Sequence, residues 1–323
     1  MIKDKIFSIL KKELPRIQKN ILMKDHTTLK IGGPAEYFLL ANKKEEIIKA
    51  IEIARKIKIP IFVMGGGSNL LVSDKGIKGL VVKNQDNSSI ILKGNNIIEA
   101  PAGALLGNVV TFSIKKSLKG LEWAGGLPGT FGGAIRGNAG AFGGEIKDVV
   151  LNVKALDNNY RLKKLSNKQC LFSYRSSVFK EKNWVVLSAE VKLAKGVKKE
   201  LEIVVNSHIS YRKEKHPLEY PNAGSIFKNV DFKKLSLKFQ NFFQDKVKKD
   251  PFPIVPSAWF IIGAGLTGKK IGQAQVSEKH SNYIVNRGNA KATDVLKLID
   301  LVKKKIKEKY NVDLEVEVQF IGN

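Results

Sequence analysis

Three glycine-rich stretches of the chain have the composition of loops that hold phosphate groups. GAGLTG at 263–268 follows the G-x-G-x-x-G pattern of dinucleotide-binding turns. GGGSN at 65–69 combines consecutive backbone N–H groups with a serine and an asparagine, which can form an anion-binding nest. In the third stretch, 125–144, nine of the twenty residues are glycine. Such density indicates backbone pressed against another segment or a ligand.

The elements around GAGLTG argue against a nucleotide loop there. The dinucleotide fingerprint requires a strand before the first glycine and a helix after the third. SAWFIIGAG instead predicts a short helix with Ser257 as its N-cap, ending at Gly263 or Gly265. The following KKIGQAQVSEKHSNYIV contains Gly272 and alternating apolar positions. We therefore expect a helix C-cap and a turn at this place.

GGGSN has a more suitable context. A helix with Ile47, Ile51 and Ala54 on one face precedes the short buried strand IPIFVM, which ends at the three glycines. A plain tight turn would need one glycine and not three. We expect this loop to hold a pyrophosphate, with the block at 125–144 around the rest of the same ligand.

The remaining elements predict an α+β fold. An amphipathic helix begins the chain, further helices are expected at 105–120 and 198–212, and strands at 147–156 and 184–194. A boundary is expected at EKHPLEYPNAG, where prolines interrupt the pattern. A long helix then leads into the strand DLEVEVQFIG. This order is not a strict βαβ alternation.

Length and composition restrict the class of protein. The chain has 323 residues and 43% hydrophobic residues, enough for two or three domains with packed cores. Its single cysteine, Cys170, fits a reducing compartment. The amino terminus has no apolar core of signal-peptide length, and no apolar run approaches ~20 residues. We therefore expect a cytoplasmic protein without membrane insertion.

The net charge of +26 leaves the partner open. The lysines are scattered over the whole chain, as on a solvated surface, and the zinc-finger and RRM signatures of nucleic-acid binding are missing from the sequence. Phosphate-bearing small molecules would also use such a charge. A basic nucleic-acid-binding protein remains the alternative, and it would bind DNA with a steep salt dependence.

Six segments, in order, carry a family resemblance. They are MGGGSNLLVSD, GLPGTFGGAIRGNAGAFGGEI, FSYRSSVFK, PNAGSIFKN, GLTGKKIGQAQVSEKHSNYIVN and LEVEVQFIG. Together they resemble the UDP-N-acetylenolpyruvoylglucosamine reductases, from about Asp25 to Gly322. Any one segment alone would be weak, whereas six in the same order are highly specific.

The resemblance implies a fold and a reaction. It implies a two-lobed FAD-binding domain of the vanillyl-alcohol-oxidase (PCMH) type over 1–212, with lobes of about 1–80 and 81–212, and a smaller α+β substrate-binding domain over 213–323. The short spacer from Arg175 to Ser225 resembles the subfamily without a tyrosine-bearing insert. The family moves hydride from NADPH to noncovalent FAD and then to the enolpyruvyl double bond. The product is UDP-N-acetylmuramate, a peptidoglycan precursor, and we expect a monomer.

The resemblance also assigns three catalytic roles. Arg175 would meet the enolate charge that hydride addition creates, since a guanidinium grips a carboxylate bidentately. Ser225 would protonate the adjacent carbon. The alternation in LEVEVQF places Leu314, Val316, Val318 and Phe320 on one face and the acids on the other. The motif selects Glu317 over Glu315.

Further contacts follow from the same motifs. His216 stands where many relatives have glutamine, and no metal is expected. Lys228 and Asn229 would contact the UDP part of the substrate. The residues expected to bind the cofactor are Gly65, Gly66, Gly67, Ser68, Asn69, Gly129, Thr130, Gly133, Asn138, Gly140 and Arg212.

A second enzyme hypothesis is another flavin oxidase of the same superfamily. Such an enzyme would not need the set of Arg175, Ser225 and Glu317. Many of these oxidases hold their flavin covalently through His or Cys, but neither glycine block contains a histidine.

Overall fold

The computed structural model describes residues 2–322, whose contacts divide them into two units. The first comprises the chain up to Ile21, Ala35–Gly66 and Lys78–Tyr211; the second comprises Leu22–Pro34, Gly67–Ile77 and the chain from Arg212 onward. The division falls inside the glycine stretch 65–69. A domain boundary after residue 212 stays a prediction, since it concerns domains along the chain and these units follow contacts in space.

The first lobe of the first unit is a four-stranded sheet with two helices. The helix Lys44–Lys56 buries Ile47, Ile51 and Ala54 as its periodicity predicts, and the amino-terminal helix is Ile2–Glu13. The sheet order is Gln18–Leu22, Pro34–Ala41, Ile77–Asn84, Ile61–Met64. Its last two strands are parallel, so that GGGSN leaves the carboxyl end of a parallel strand.

The second lobe is built on a five-stranded sheet. The sheet order is Leu162–Ser166, Val150–Leu156, Val185–Lys192, Ile97–Pro101, Ile91–Leu92. Its helices are Leu106–Lys115, Phe131–Arg136, Val178–Glu181 and Lys198–Lys215, the last of which continues into the second unit. Two small ladders pair Gly140–Ala141 with Gly144–Glu145 and Ala194–Lys195 with Leu118–Lys119. Phe131, Phe179 and Cys170 lie in the core of this lobe.

The second unit has its own core beneath a four-stranded sheet. The sheet order is Asn222–Ser225, Tyr283–Asn286, Ala274–Val276, Lys270–Ile271. Two further pairs join Val230–Asp231 to Ile254–Val255 and, in parallel, Gln319–Ile321 to Leu70–Val72. The helices are Leu237–Phe243, Ser257–Gly263 and Ala292–Tyr310. Within residues 2–322, no helix combines the length and the apolar character that crossing a membrane requires.

Two local predictions in the second unit need correction. The helix before GAGLTG ends at Gly263 as predicted, but its N-cap is Pro256, and Ser257 is its first residue. The predicted strand over 314–320 is regular in Gln319–Ile321 alone, with an isolated bridge from Phe227 to Val316. Phe320 consequently turns outward and is 45% exposed, because the alternation does not continue through the irregular backbone.

Candidate functional site

Two glycine loops of the first unit lie directly against each other. A Cβ at Gly65 would lie 2.3 Å from Thr130 Oγ1, and one at Gly66 would lie 3.0 Å from Gly129 Cα. Thr130 is also the N-cap of the helix Phe131–Arg136, and its Oγ1 accepts the N–H of Gly133 at 3.3 Å. Because these glycines have no side chains, the backbone of GGGSN can lie directly against the backbone of residues 128–130.

The rest of GGGSN is fixed within the second unit. Gly67 has φ +69°, and a Cβ there would lie 2.3 Å from the carbonyl oxygen of His26. The Asn69 amide donates to the carbonyl of Glu317 at 3.2 Å, and the N–H of Gln319 donates to the carbonyl of Asn69 at 3.0 Å. Asn69 thus holds the predicted catalytic segment as well as the loop, while Ser68 beside it is half-buried.

Arg175 lies in the first unit against the end of the third glycine stretch. Its Nη2 donates to the carbonyl of Gly140 at 2.8 Å, and its Nη1 lies 4.0 Å from Oε1 of Glu145. The guanidinium also covers the ring of Tyr174 at 5.1 Å. Arg175 itself has φ +56°, a conformation that non-glycine residues adopt rarely and that often marks functional positions.

Glu145 and Asn138 fix the position of Arg175 and of the loops around it. Both side chains are buried, and the Asn138 amide donates to Glu145 Oε2 at 3.3 Å and to the carbonyl of Ser173 at 3.0 Å. Its oxygen accepts the N–H of Lys147 at 3.0 Å. The Asn138 side chain therefore fastens the loops that carry Arg175 and Gly140. Glu145 was not identified from the sequence, because one acid in GGEI carries no spacing signal.

Ser225 and Glu317 are neighbours in the second unit. The N–H of Glu317 donates to the carbonyl of Ile226 at 2.7 Å, which places Glu317 beside the residue after Ser225. The other acid, Glu315, points outward and pairs with Lys228. The choice of Glu317 over Glu315 stays a prediction.

A cluster of titratable side chains surrounds Tyr283, the direct strand partner of Ser225. The charge state of Tyr283 responds to Arg212 and Glu317 nearby. Burial raises the pKa of Tyr283 to about 12. The Tyr283 hydroxyl lies 3.2 Å from His216 Nδ1, and burial, aided by the charges of His280 and Arg212, lowers the pKa of His216 to about 4. At neutral pH the tyrosine is protonated and the imidazole is uncharged.

Lys228 and Asn229 occupy the segment after Ser225 and have internal contacts. The N–H of Lys228 donates to the carbonyl of Glu315 at 2.9 Å. The Asn229 amide oxygen accepts the N–H of Ser257 at 3.3 Å, at the start of the helix Ser257–Gly263. Both residues therefore also fix the segment that carries Ser225.

The structure thus groups the predicted residues into two sets. Gly65, Gly66, Gly129, Thr130, Gly133, Asn138, Gly140 and Arg175 belong to the first unit; Gly67, Ser68, Asn69, Arg212, Ser225, Lys228, Asn229 and Glu317 belong to the second. GAGLTG forms the predicted turn, in which Gly265 has φ +70° and Gly268 has φ +76°. Tyr283 was missed, because a tyrosine in an apolar strand is ordinarily a core residue.

Comparison with known proteins matches two family models to successive parts of the chain. The model of the FAD binding domain family matches residues 35–166. The model of the UDP-N-acetylenolpyruvoylglucosamine reductase C-terminal domain matches residues 216–321. The α+β fold with an amino-terminal FAD-binding domain is confirmed.

Full-length relatives show the family. The chain is 43% identical over 319 residues to the UDP-N-acetylenolpyruvoylglucosamine reductase of Caldanaerobacter subterraneus subsp. tengcongensis, covering 99% of this chain and 97% of the relative. It is 41% identical over 321 residues to that of Clostridium novyi, covering 99% and 96%. The crystal structure of the enzyme from Thermus caldophilus matches with a TM-score of 0.74 at 29% identity, covering 95% and 99%. The chain therefore belongs to the UDP-N-acetylenolpyruvoylglucosamine reductase family of oxidoreductases.

Proposed function

We propose that the chain reduces UDP-N-acetylglucosamine enolpyruvate to UDP-N-acetylmuramate, a precursor of peptidoglycan, with NADPH as hydride donor and noncovalent FAD as carrier. Besides the family, the observation that carries this proposal is the pairing of Glu317 with the backbone next to Ser225. This hydrogen bond places side by side the segments that carry the proposed proton donor and a carboxylate, the two groups that reduction of an enolpyruvyl group requires.

The glycine loops fit the pyrophosphate of FAD. Gly65 and Gly66 approach Gly129 and Thr130 so closely that a Cβ at Gly65 would collide, so the loops present backbone and not side chains. Neither 65–69 nor 125–133 contains an acidic residue. Backbone N–H groups without carboxylates nearby are suited to an anionic pyrophosphate.

FAD held by the glycine loops would supply hydride-transfer chemistry between NADPH and the enolpyruvyl double bond. The protein must then stabilise the negative charge that develops on the substrate carboxylate. Arg175 is suited to this task, because its hydrogen bond to Gly140 and the carboxylate of Glu145 hold the guanidinium in one orientation. A pre-organised cation costs no reorganisation at the moment of reaction.

Ser225 would donate the proton that completes the reduction, and Glu317 would orient the substrate or the donor. An alcohol is a weak acid, so Ser225 must act on a strongly basic carbon and receive help from its surroundings. The cluster of Tyr283, His216 and Arg212 supplies such surroundings.

The covalent-flavin hypothesis finds no support at Cys170. This thiol is buried in the core of the second lobe, and burial raises its pKa to about 12. A thiol of that kind is a poor nucleophile, which supports noncovalent binding of the flavin.

Replacement of Ser225 by alanine tests the proposal. Two half-reactions can be followed separately at the flavin absorbance by stopped flow. Reduction by NADPH should be unchanged in Ser225→Ala, whereas reoxidation by the enolpyruvyl substrate should slow by ~10²–10⁴-fold, the usual contribution of a general acid.

Ser207→Ala is the matched control, because Ser207 is exposed on the helix Lys198–Lys215. It should leave both half-reactions unchanged. Equal slowing of both half-reactions in Ser225→Ala would make Ser225 structural. A purified protein that is colourless and takes up no FAD would contradict the function itself.

A further inference from the structure

Resting on the function proposed above, we propose that Tyr283 donates its hydroxyl proton to Ser225 Oγ and that His216 holds Tyr283 in this orientation. Both would be positioning residues that act through Ser225. Ser225 needs such help because an alcohol is a weak acid, comparable with water, whose pKa is ~16. A proton supplied by Tyr283 would stabilise the serine oxygen as it loses its own proton.

The sheet of the second unit fixes Tyr283 behind Ser225. The two residues are direct partners across the antiparallel strands Asn222–Ser225 and Tyr283–Asn286. A register shift lies between Asn222 and Ser225, and Gly224 within it has φ +78°. Such a bulge re-aims the side chain that follows it. As direct partners across the two strands, Ser225 and Tyr283 have side chains on the same face of the sheet.

His216 restricts the Tyr283 hydroxyl from the other side. Its Nδ1 lies 3.2 Å from the Tyr283 oxygen, and the rings of His216, His280 and Tyr283 pack together with centroids 4.8 to 5.4 Å apart. An Nδ1–H that donates to the tyrosine oxygen leaves the tyrosine proton free to point at Ser225. The proposal therefore assigns the Nδ1–H tautomer to His216.

The proton movements balance along this chain. The substrate carbon takes the Ser225 proton, the serine oxygen takes the Tyr283 proton, and the tyrosine regains a proton from water. The second transfer is favourable because the pKa of Tyr283, about 12, lies well below that of an alcohol. His216 keeps its Nδ1 proton throughout, which is possible because its lowered pKa leaves the ring neutral with one N–H.

The charges facing the pair act in both directions. Arg212 favours the ionised form of Tyr283, and Glu317 opposes it. His280, Arg212, Lys279 and Lys248 all disfavour a positive charge on His216. Cations therefore predominate around the two rings, and they would stabilise the transient alkoxide or phenolate.

Removing the Tyr283 hydroxyl alone is the direct test. In Tyr283→Phe the ring packing is kept, so the flavin should still be bound and reduced by NADPH at the parental rate. Reoxidation by the enolpyruvyl substrate should slow by ~10-fold or more, as expected when a donor to a developing oxyanion is lost. Tyr310→Phe is the matched control, since Tyr310 is a buried tyrosine of the core around Phe243 and Phe260.

A pair of variants at His216 separates positioning from packing. His216→Phe removes the donor and should slow reoxidation, whereas His216→Gln can donate an amide N–H to Tyr283 and should restore most of the rate. A rate within twofold of the parent in a folded, FAD-loaded Tyr283→Phe protein would overturn the proposal. If Tyr283→Phe does not fold, the His216 variants decide: reoxidation of His216→Gln that is no faster than that of His216→Phe would also overturn the proposal. A parent enzyme that the substrate cannot reoxidise would instead overturn the proposed function.

Discussion

At the scale of single residues, the contact of Gly65 with Thr130 makes the most local prediction. In Gly65→Ala the new methyl group would lie 2.3 Å from Thr130 Oγ1, so the loop or the threonine must move. We expect weaker retention of FAD, seen as a lower flavin-to-protein absorbance ratio after gel filtration. Overpacking of this kind also costs about 1–3 kcal/mol of stability.

Gly107→Ala is the control for this substitution. Gly107 lies in the helix Leu106–Lys115, and a Cβ there meets nothing within 4 Å. Alanine should therefore keep the flavin and stabilise the helix by about 0.5–1 kcal/mol. If both variants retained FAD equally, close approach of the two loops would not be what the cofactor requires.

The roles of the candidate site residues stay predictions, and residue types gave no signal for the side chains that support them. The motif favours Glu317 over Glu315, and Glu315 faces outward toward Lys228. Asn138 was expected to bind the cofactor, yet its buried amide has three partners inside the protein. Tyr283 received no role from the sequence. A side chain's partners depend on packing between segments that lie far apart in the chain, and local spacing carries little of that information.

At the scale of elements, Asn282 holds the segment that follows Ser225. Its side chain donates to the carbonyl of Phe227 at 2.9 Å and accepts the N–H of the same residue at 3.0 Å, as a neighbouring strand would. Asn282→Ala leaves both buried backbone groups unsatisfied, at a cost of about 2–4 kcal/mol. The midpoint temperature of thermal unfolding should fall by ~5–10 °C, and reoxidation of the flavin by the substrate should slow.

Asn206→Ala is the comparison for Asn282, because Asn206 is exposed on the helix Lys198–Lys215. It should change the unfolding temperature little. An Asn282→Ala protein as stable as the parent would show that water replaces the amide, and the side chain would not be a structural clamp.

Periodicity predicted the regular elements better than the irregular ones. The helix Lys44–Lys56 and the turn after Gly263 follow from apolar spacing and from glycine. The segment 314–318 alternates like a strand but forms one bridge, from Val316 to Phe227. Its pairing partner is the irregular backbone after Ser225, which no local pattern describes. Glu317, whose catalytic role is proposed, therefore lies where the prediction of the strand was wrong.

At the scale of the whole molecule, the net charge of +26 has a use if the ligands are anionic. FAD, NADPH and the UDP substrate all carry phosphates, and a positive field raises the rate at which such ligands arrive. The sequence alone left this field and a merely solvated surface as alternatives.

Ionic strength separates the two alternatives. The Debye length shortens from about 30 Å at 0.01 M salt to about 3 Å at 1 M, so steering fades while bonds inside a formed complex persist. The second-order rate of flavin reduction at low NADPH should fall by ~10-fold from 0.01 M to 0.5 M KCl. The rate at saturating NADPH should change little.

Tetramethylammonium chloride should act like KCl if screening is the cause. A second-order rate that stays constant would assign the lysines to solvation. A colourless protein that binds DNA with a steep salt dependence would instead support the nucleic-acid hypothesis.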